Sequence, residues 1–438
     1  MSAPEAGRPG APGPDPSDGR GDPRRVAWWT VGVLVVVSVW LAAMLTPWGT
    51  IASGDPALLS EVFDRTQIDR ANRFHAEMRW ASYLSLACGL LVALWLGLTR
   101  SGLALVRRVA GRLRWWWIQV VVAVAAVTLV GWLVTLPFRV WQESVLREWG
   151  VSTQTWGAWL VDQAKAFGVG VGLSGVALVL LVGVARLLPR WWFLPAGAGV
   201  AALVFGMSFA YPLLIEPVFN SFEPMPDNRL RGDLLEMAAR DDVPVDEVLV
   251  ADASRRTTNL NAYVSGLGST QRIVVYDTLL EDTPPAQIES IVAHELGHAK
   301  NDDVQTGSIV GSVTAATLVV ALWFVMSSRW VRRLGVSGMA DPVAVAVVLA
   351  LANLMVLVGS PFESMISREI EARADRHALE LTGDPESMMG VQKTMSRANL
   401  SDVEPPWLVY VMFASHPTPL ERVTMAGQWA EDHDAGEP

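Results

Sequence analysis

The sequence contains a single cysteine, Cys88, and this scarcity excludes two kinds of site. One thiol forms no internal disulfide framework and supports no cysteine-based metal site within the chain. Lysine is almost as rare, with Lys165, Lys300 and Lys393 the only examples, and the formal net charge is −10 without a long basic run. This charge balance argues against nucleic acid as a partner.

Apolar residues, by contrast, make up 51% of the chain, and 20 tryptophans and a mean hydropathy of +0.31 mark it as too apolar for an ordinary soluble protein. Buried helices of a soluble protein would account for one or two long apolar runs, but here seven are long enough to cross a bilayer. Trp and Arg flank several of their ends, as is typical of membrane interfaces. We therefore predict seven membrane-spanning helices, at residues 27–45, 81–98, 115–136, 167–187, 192–214, 308–327 and 342–359.

The polar stretches around these spans predict the domain organisation. The first 26 residues, rich in Pro, Gly and Asp, cannot bury a core and are expected to be a disordered arm. The first apolar run is too long for the core of a signal peptide, so we expect it to be retained. We predict an arm at 1–26, a five-span membrane domain at 27–215, the first part of a polar domain at 216–307, spans six and seven at 308–360, its second part at 361–428, and an acidic tail at 429–438.

The most informative motif is His294-Glu295-Leu296-Gly297-His298. Two histidines four apart on a helix project from one face and can share a zinc ion, and the glutamate beside the metal can take a proton from zinc-bound water. Two surface histidines on an ordinary helix are the alternative. The context favours the zinc helix, because Thr283 has the character of an N-cap before two prolines and apolar residues then recur at helical spacing. The pattern predicts a helix over about 284–301.

A catalytic zinc ion needs three protein ligands and one open position, so a third ligand must come from elsewhere. Asp302 follows one helical turn after His298, but a straight helix does not easily wrap three successive side chains around one ion. We therefore expect Asp302 to support a ligand or to end the helix. Glu371 and Asp375 fit better, since they are four apart on a predicted helix and one can bind zinc while the other orients a histidine. A solvated charged face is the alternative there, and Glu369 is expected to belong to it.

Several segments together resemble the integral-membrane zinc endopeptidases of the CAAX prenyl protease 1 family and, more distantly, the shorter bacterial heat-shock membrane proteases. The likeness covers about residues 30–425, and its motifs occur in order with two spans between them. A weaker match lies at 136–148. The matching residues are Asn261-Ala262-Tyr263, the segment 272–280, the motif at 294–298, the segment 367–375, and Ser415-His416-Pro417 followed by Glu421-Arg422.

The resemblance implies one zinc ion per chain. In the family pattern, His294, His298 and Glu371 would bind the metal. Glu295 would act as the general base and later as the proton donor, and Asp375 would lie behind a ligand.

The resemblance also implies residues that act on the substrate. His416 and Arg422 would stabilise the oxyanion that develops in the tetrahedral intermediate. Asn261, with Ala262 and Tyr263, would hold the substrate backbone.

The fold class that follows is a multi-pass α-helical membrane protein, whose seven transmembrane helices surround a chamber according to the resemblance, with a small α+β catalytic domain of the zincin (gluzincin) type. Within 216–307 the residue pattern predicts an amphipathic helix at 229–240 and strands at 247–251, 261–266 and 272–276. An exposed strand edge beside a zinc helix can pair with an extended peptide and lay its scissile bond across the metal.

We interpret the chain as an integral-membrane zinc metalloendopeptidase that hydrolyses membrane-associated or lipidated proteins or peptides, as CAAX proteases do. Arginine-rich, lysine-poor usage indicates a GC-rich bacterial genome, and bacteria are not expected to prenylate their own CAAX proteins. Membrane-protein quality control, as in the heat-shock proteases, and maturation of an exported peptide therefore stay open. A transporter or receptor with a structural zinc site is the alternative of another class, but such sites usually have four protein ligands. The predicted partners are a polypeptide substrate and the lipid bilayer, and the oligomeric state stays open.

The orientation in a bacterial cell membrane is predicted differently by two arguments. Arginine-rich short loops at 100–114 and 329–333 place those loops and the amino terminus in the cytoplasm, so that seven spans leave the catalytic stretches outside. The resemblance implies a site that faces the cytoplasm. We favour the resemblance here, because arginines at 65–79 also blur the charge bias and one miscounted span would reverse the result.

Overall fold

The computed structural model describes residues 22–266 and 268–434, and most of them are helical. The helices are α1 Pro23–Leu45, α2 Pro56–Val62, α3 Arg65–Leu98, α4 Arg100–Ala110, α5 Trp116–Glu148, α6 Trp156–Leu187, α7 Phe193–Leu214, α8 Glu216–Phe219, α9 Arg229–Arg240, α10 Asp277–Asp282, α11 Pro285–Lys300, α12 Asp303–Met326, α13 Arg329–Arg333, α14 Ala344–Thr382, α15 Pro385–Ala398, α16 Trp407–Phe413 and α17 Pro419–Asp434. The strands are β1 Phe222–Pro224, β2 Val245–Ala251, β3 Ala262–Ser265 and β4 Gln271–Tyr276, and short 3-10 helices lie at Ala253–Arg255 and Gly268–Thr270.

Seven helices in the described part of the chain are long and apolar enough to cross a membrane, which confirms the predicted spans. They are α1, α3, α5, α6, α7 with α8, α12 and α14. These helices contact one another in the order α14, α3, α5, α6, α7, α12, α1. No more than 33% of any apolar window is buried inside the protein, so most of each span is available to contact lipid.

The structure lengthens several predicted spans. α3 begins at Arg65 rather than 81, and α14 runs from Ala344 to Thr382, through the predicted boundary at 360/361 and past Pro361. The hydrophobic pattern ends at the bilayer surface, but backbone hydrogen bonding continues beyond it wherever other elements pack on the helix. As a result, part of the polar domain is built directly on membrane helices.

At both chain ends, the residues that the structure describes differ from the prediction. Residues 1–21 of the predicted arm and 435–438 of the predicted tail lie outside the described residues. α1 begins at Pro23 because the Asp22 carboxylate accepts a hydrogen bond from the Arg24 N–H. α17 continues through the predicted tail to Asp434, since the ring of His433 stacks on Trp429 with centroids 3.8 Å apart.

The small sheet has the strand order β1-β2-β4-β3. β2 and β4 are parallel, whereas β1 and β3 pair antiparallel with their neighbours, so β3 is an edge strand. The three strands predicted from alternation are present with ends shifted by up to two residues. β1 was not predicted, because three residues carry no period that alternation can reveal.

The site helix α11 lies between this sheet and α14. Its N-cap is Pro284, one residue later than the predicted Thr283, because Pro285 fits the first helical position, where no N–H is needed. On one face Ile288, Val292 and Leu296 are each at most 2% exposed and belong to a core shared with β4, α9 and α14. Each such side chain contributes about 1.5–3 kcal/mol by burial, and together they fix the rotation of α11 that presents its histidines to α14.

Candidate active site

The motif histidines meet Glu371 where α11 packs against α14. His294 and His298 are one turn apart on α11, and their Nε2 atoms are 3.2 Å from each other. A carboxylate oxygen of Glu371 lies 3.1 Å from Nε2 of His294, and its other oxygen lies 3.6 Å from Nε2 of His298. The structure thus brings together the three residues that the sequence predicts as metal ligands.

The second ring nitrogen of each histidine, Nδ1, indicates which kind of ion the cluster can bind. Nδ1 of His294 lies 2.8 Å from Oδ1 of Asp375, and Nδ1 of His298 lies 2.9 Å from Oδ2 of Asp303. A carboxylate accepts a hydrogen bond, so each Nδ1 carries a proton and donates it, and each neutral ring keeps a lone pair on Nε2. Two such lone pairs and a carboxylate then converge, with donor atoms all within 4.8 Å of one another. A cation that takes nitrogen and oxygen ligands fits this donor set, and zinc with an open fourth position is such a cation.

Each supporting carboxylate is in turn held by an arginine. Arg422, from α17, donates from Nε to Oδ2 of Asp375 at 2.8 Å, and a second bond reaches Oδ1. Arg373, on α14, forms an ion pair with Asp303. Asp375 is fully buried, so Arg422 supplies the positive charge that such a carboxylate needs. The resemblance predicts that Arg422 lies beside the oxyanion, and in the structure its guanidinium contacts Asp375.

The neighbouring residues Asp302 and Asp303 have different roles in the site. The sequence predicts that Asp302 supports a ligand or ends the helix, and in the structure it lies at the end of α11. The carboxylate that accepts a hydrogen bond from Nδ1 of His298 belongs to its neighbour Asp303. Asp302 adopts a left-handed conformation, with φ of 51°, as it ends α11 and begins α12, and its carboxylate accepts from Gln305. The turn points Asp303 back towards α11, and a helical projection of the sequence does not include that turn.

Glu295 and His416 occupy the two sides of the cluster. Glu295 is half-buried beside the histidines, and burial raises the pKa of its carboxyl while charge on His294 and His298 would oppose this. His416 precedes α17, and its Nε2 lies 3.2 Å from an oxygen of Glu371. Its side chain is 57% exposed, so this imidazole can reach a molecule that enters from solvent.

A cleft of ≈ 480 Å³ opens in front of these groups. Asn261, Ala262 and Tyr263, at the edge strand β3, line it together with Glu295 and His416. Burial raises the pKa of the Tyr263 hydroxyl, and Glu216 adds to this, so the hydroxyl stays protonated and can donate. The three predicted substrate residues therefore share one cleft with the metal cluster.

Glu369, which the sequence assigns to a solvated face, is structural instead, and so is its neighbour Arg368. Glu369 accepts a hydrogen bond from the backbone N–H of Thr50 at 2.8 Å, which ties α14 to the segment after α1. Arg368 is only 6% exposed and donates to the carbonyls of Tyr410 and Ala414 at 2.8 Å. Their partners are far away in sequence, so charge density alone gave no signal for them.

Comparison with known proteins agrees with this geometry. Residues 224–430 match the family model described as peptidase family M48, and residues 51–221 match that of the CAAX prenyl protease N-terminal region, with five membrane helices. The chain belongs to the M48 metallopeptidases of the CAAX prenyl protease type. It is accordingly a multi-pass membrane protein and a zinc metalloendopeptidase, which confirms the predicted fold class, enzyme class and cofactor.

Individual relatives of the chain match it over about two thirds of its length or more. The chain is 29% identical over 318 residues to an uncharacterized metalloprotease, YhfN, of Bacillus subtilis, covering 70% of this chain and 73% of that protein. It is 27% identical over 313 residues to CAAX prenyl protease 1 of Saccharomyces cerevisiae, covering 67% and 68%. The crystal structure of S. mikatae Ste24p shares the fold, with a TM-score of 0.73, 20% identity and coverage of 92% of this chain and 98% of that one. Similarity at this level extends across both the membrane helices and the site.

Proposed function

We propose that the protein cuts extended polypeptides in or beside the membrane, at the cleft between β3 and α11. The observation that supports this most is the convergence of His294, His298 and Glu371 at one end of a cleft whose other wall is an edge strand. A peptide that adds to such an edge is held by its backbone, so one site accepts many sequences.

The proposed metal ligands are Nε2 of His294, Nε2 of His298 and the carboxylate of Glu371. Zinc bound there supplies a Lewis acid that makes a water molecule more acidic and polarises the scissile carbonyl. Asp375 and Asp303 hold the two imidazoles in the tautomer that leaves Nε2 free, and such partners commonly change metal affinity 10- to 100-fold. Arg422 and Arg373 are proposed to keep these carboxylates ionised and in place.

Glu295 is the proposed general base. Its carboxylate accepts the proton of the attacking water and later returns it to the nitrogen of the leaving amine. His416 is proposed to donate from its imidazole to the oxyanion as the tetrahedral intermediate forms. Arg422, whose guanidinium is bonded to Asp375, is proposed to add positive potential at that point rather than a direct contact.

The substrate chemistry follows from how the site is attached. α12 begins at Asp303, next to the site, and α14 carries Glu371 on the same helix that crosses the membrane. At 1.5 Å per residue, roughly 18 Å of helix separates Gly359 from Glu371. We therefore propose a substrate that is membrane-embedded, lipidated or otherwise anchored at one end, with its scissile bond near the bilayer surface. The predicted division of the polar domain into 216–307 and 361–428 fits this proposal, since each part is continuous with a span.

Replacement of Glu295 by alanine tests the proposed chemistry. The purified Glu295→Ala protein is expected to retain one zinc ion per chain by elemental analysis, because the three ligands are untouched, while peptide cleavage is lost. Cleavage at the wild-type rate would rule out this base. A proteomic comparison of membranes that carry the two forms should then show intact substrates accumulating with Glu295→Ala, and their anchors would identify the substrate class.

A further inference from the structure

The ring of His416 is less enclosed than the rings of the two motif histidines. The side chains of His294 and His298 are 8% and 20% exposed, whereas that of His416 is 57% exposed. The torsion that turns an imidazole about its bond to Cβ has broad wells related by a half turn, so packing alone does not hold an exposed ring. A donor to an oxyanion must nevertheless present one particular atom, with a proton on it. Polar contacts therefore have to fix the ring of His416.

The backbone on both sides of His416 is held in place. On the preceding side, Arg368 of α14 donates to the carbonyl of Ala414 at 2.8 Å. On the following side, the Thr418 N–H donates to Oε2 of Glu421 at 2.7 Å, and the Glu421 N–H donates to Oγ1 of Thr418 at 3.1 Å. This reciprocal pair is a capping box at the start of α17. The position of His416 along the chain is thus fixed, and the direction and protonation of its ring are left to the side-chain contacts.

The contacts of the two ring nitrogens define one tautomer. Nε2 of His416 lies 3.2 Å from Oε2 of Glu371. A carboxylate only accepts hydrogen bonds, so Nε2 carries a proton. At neutral pH an imidazole is mostly uncharged and holds a single proton, which leaves a lone pair on Nδ1. Oγ of Ser415 lies 2.9 Å from this Nδ1, so the Ser415 hydroxyl donates to it.

This arrangement is the reverse of that in the motif histidines. In His294 and His298 a carboxylate accepts from Nδ1, and the lone pair on Nε2 is left for a metal ion. In His416 a hydroxyl donates to Nδ1, and the proton is left on Nε2 for a molecule in the cleft. The partner of Nδ1 thereby separates a ring that binds a cation from a ring that donates a hydrogen bond.

We infer that Ser415 is a positioning residue for the proposed reaction, because its hydroxyl selects the His416 tautomer with the proton on Nε2 and fixes the direction of that nitrogen. The inference rests on the proposed function, in which His416 donates to the oxyanion. A ring turned by a half turn would present Cε1 in place of Nε2, and a proton on Nδ1 would leave a lone pair facing the negative charge. Neither stabilises an oxyanion. Ser415 itself needs no contact with the substrate.

Two substitutions of Ser415 in the full-length protein test its hydroxyl. Ser415→Ala should lower kcat for peptide cleavage about 3- to 10-fold, the effect of one ordinary hydrogen bond. KM should stay unchanged, because the oxyanion exists only in the transition state. Ser415→Thr keeps the donor at an exposed position and should restore most of the lost kcat. Ser60→Ala, at an exposed serine on α2, is the matched control.

Zinc content and melting temperature separate positioning from a structural role. Both should equal the wild-type values in Ser415→Ala, since neither the metal ligands nor a buried contact is changed. Loss of zinc or a lower melting temperature in Ser415→Ala would assign the serine to the fold and overturn the inference. A wild-type kcat in Ser415→Ala, or an equal loss in Ser415→Ala and Ser415→Thr, would also overturn it.

Combination with His416→Ala decides whether Ser415 acts through this ring. His416→Ala alone should lower kcat about 100- to 1000-fold, the usual cost of removing one oxyanion donor. In that background Ser415→Ala should cause no further loss, and a loss as large as in the wild-type background would refute the inference. If His416→Ala cleaves at the wild-type rate, the proposed role of His416 fails together with that of Ser415. If His416→Ala is impaired and Ser415→Ala is not, the role of Ser415 fails alone.

Discussion

The carboxylate of Asp375 joins His294 to Arg422. Its Oδ1 lies 2.8 Å from Nδ1 of His294, and its Oδ2 lies 2.8 Å from Nε of Arg422. Asp375, on α14, thereby connects the motif helix α11 to α17, which lies close to the carboxyl end of the described chain. The metal cluster thus depends on three helices that are far apart in sequence.

Replacing Asp375 by asparagine should weaken zinc binding about 10- to 100-fold, because the amide no longer fixes the tautomer of His294. It also leaves Arg422 without its ionised partner, and breaking a buried ion pair costs about 3–5 kcal/mol. Competition with a chelator measures the first effect and thermal unfolding the second. Asp242→Asn, at an exposed aspartate, is the matched control. Unchanged zinc affinity in Asp375→Asn would remove this residue from the site.

The neighbours Asp302 and Asp303 offer a paired test. Asp303→Asn should lower zinc affinity, by less than Asp375→Asn does, because the His298 side chain is 20% exposed and that of His294 only 8%. Asp302→Asn should leave affinity unchanged, since asparagine tolerates the left-handed backbone there. The same chelator competition applies to both. Equal losses in the two variants would contradict the assignment to Asp303.

If β3 holds the substrate by its backbone, proline at one position of this strand should weaken substrate binding. The Tyr276 N–H donates to the carbonyl of Asn261, and bonding alternates along an antiparallel pair, so the backbone groups of Ala262 and Val264 point away from β4. Val264→Pro should therefore raise KM, since it removes an N–H that faces the cleft while leaving the sheet paired.

Two variants control for the side chain and for the sheet. Val264→Ala keeps the N–H and should leave KM close to that of the wild type. Tyr263→Pro removes a bond within the sheet and should lower the melting temperature instead. Peptide kinetics and thermal unfolding separate these effects, and a wild-type KM in Val264→Pro would argue against strand addition.

Gly297 permits the close approach of α11 and α14. A Cβ added there would lie 3.1 Å from Cβ of His377, which is itself bonded to Asp241 at 2.9 Å. Gly297→Ala should destabilise the protein by about 1–3 kcal/mol through overpacking. Gly307→Ala, where a Cβ meets no atom within 4 Å, should not be destabilising. If both variants melt at the same temperature, the contact with His377 does not make an added Cβ at position 297 destabilising.

Local patterns predicted a large part of this fold. The spans, α9, α11 and three strands follow from periodicity, because each has enough residues to repeat its pattern. The pair Glu371 and Asp375 was found from its helical spacing together with family resemblance. Asp303 was missed because the chain turns at Asp302, and the roles of Glu369 and Arg368 were missed because their partners lie on distant segments. Side-chain pairing across long sequence separations leaves no periodic signal.

α14 crosses the membrane at one end and carries Glu371 and Asp375 near the other. Its 39 residues make a rod about 58 Å long. A helix whose apolar length does not match the bilayer responds by tilting, and a tilt of about 5° moves a point about 18 Å beyond the pivot by roughly 1.6 Å. We therefore expect lipid chain length to change the distance between Glu371 and the histidines of α11, so that bilayer thickness would alter the metal geometry.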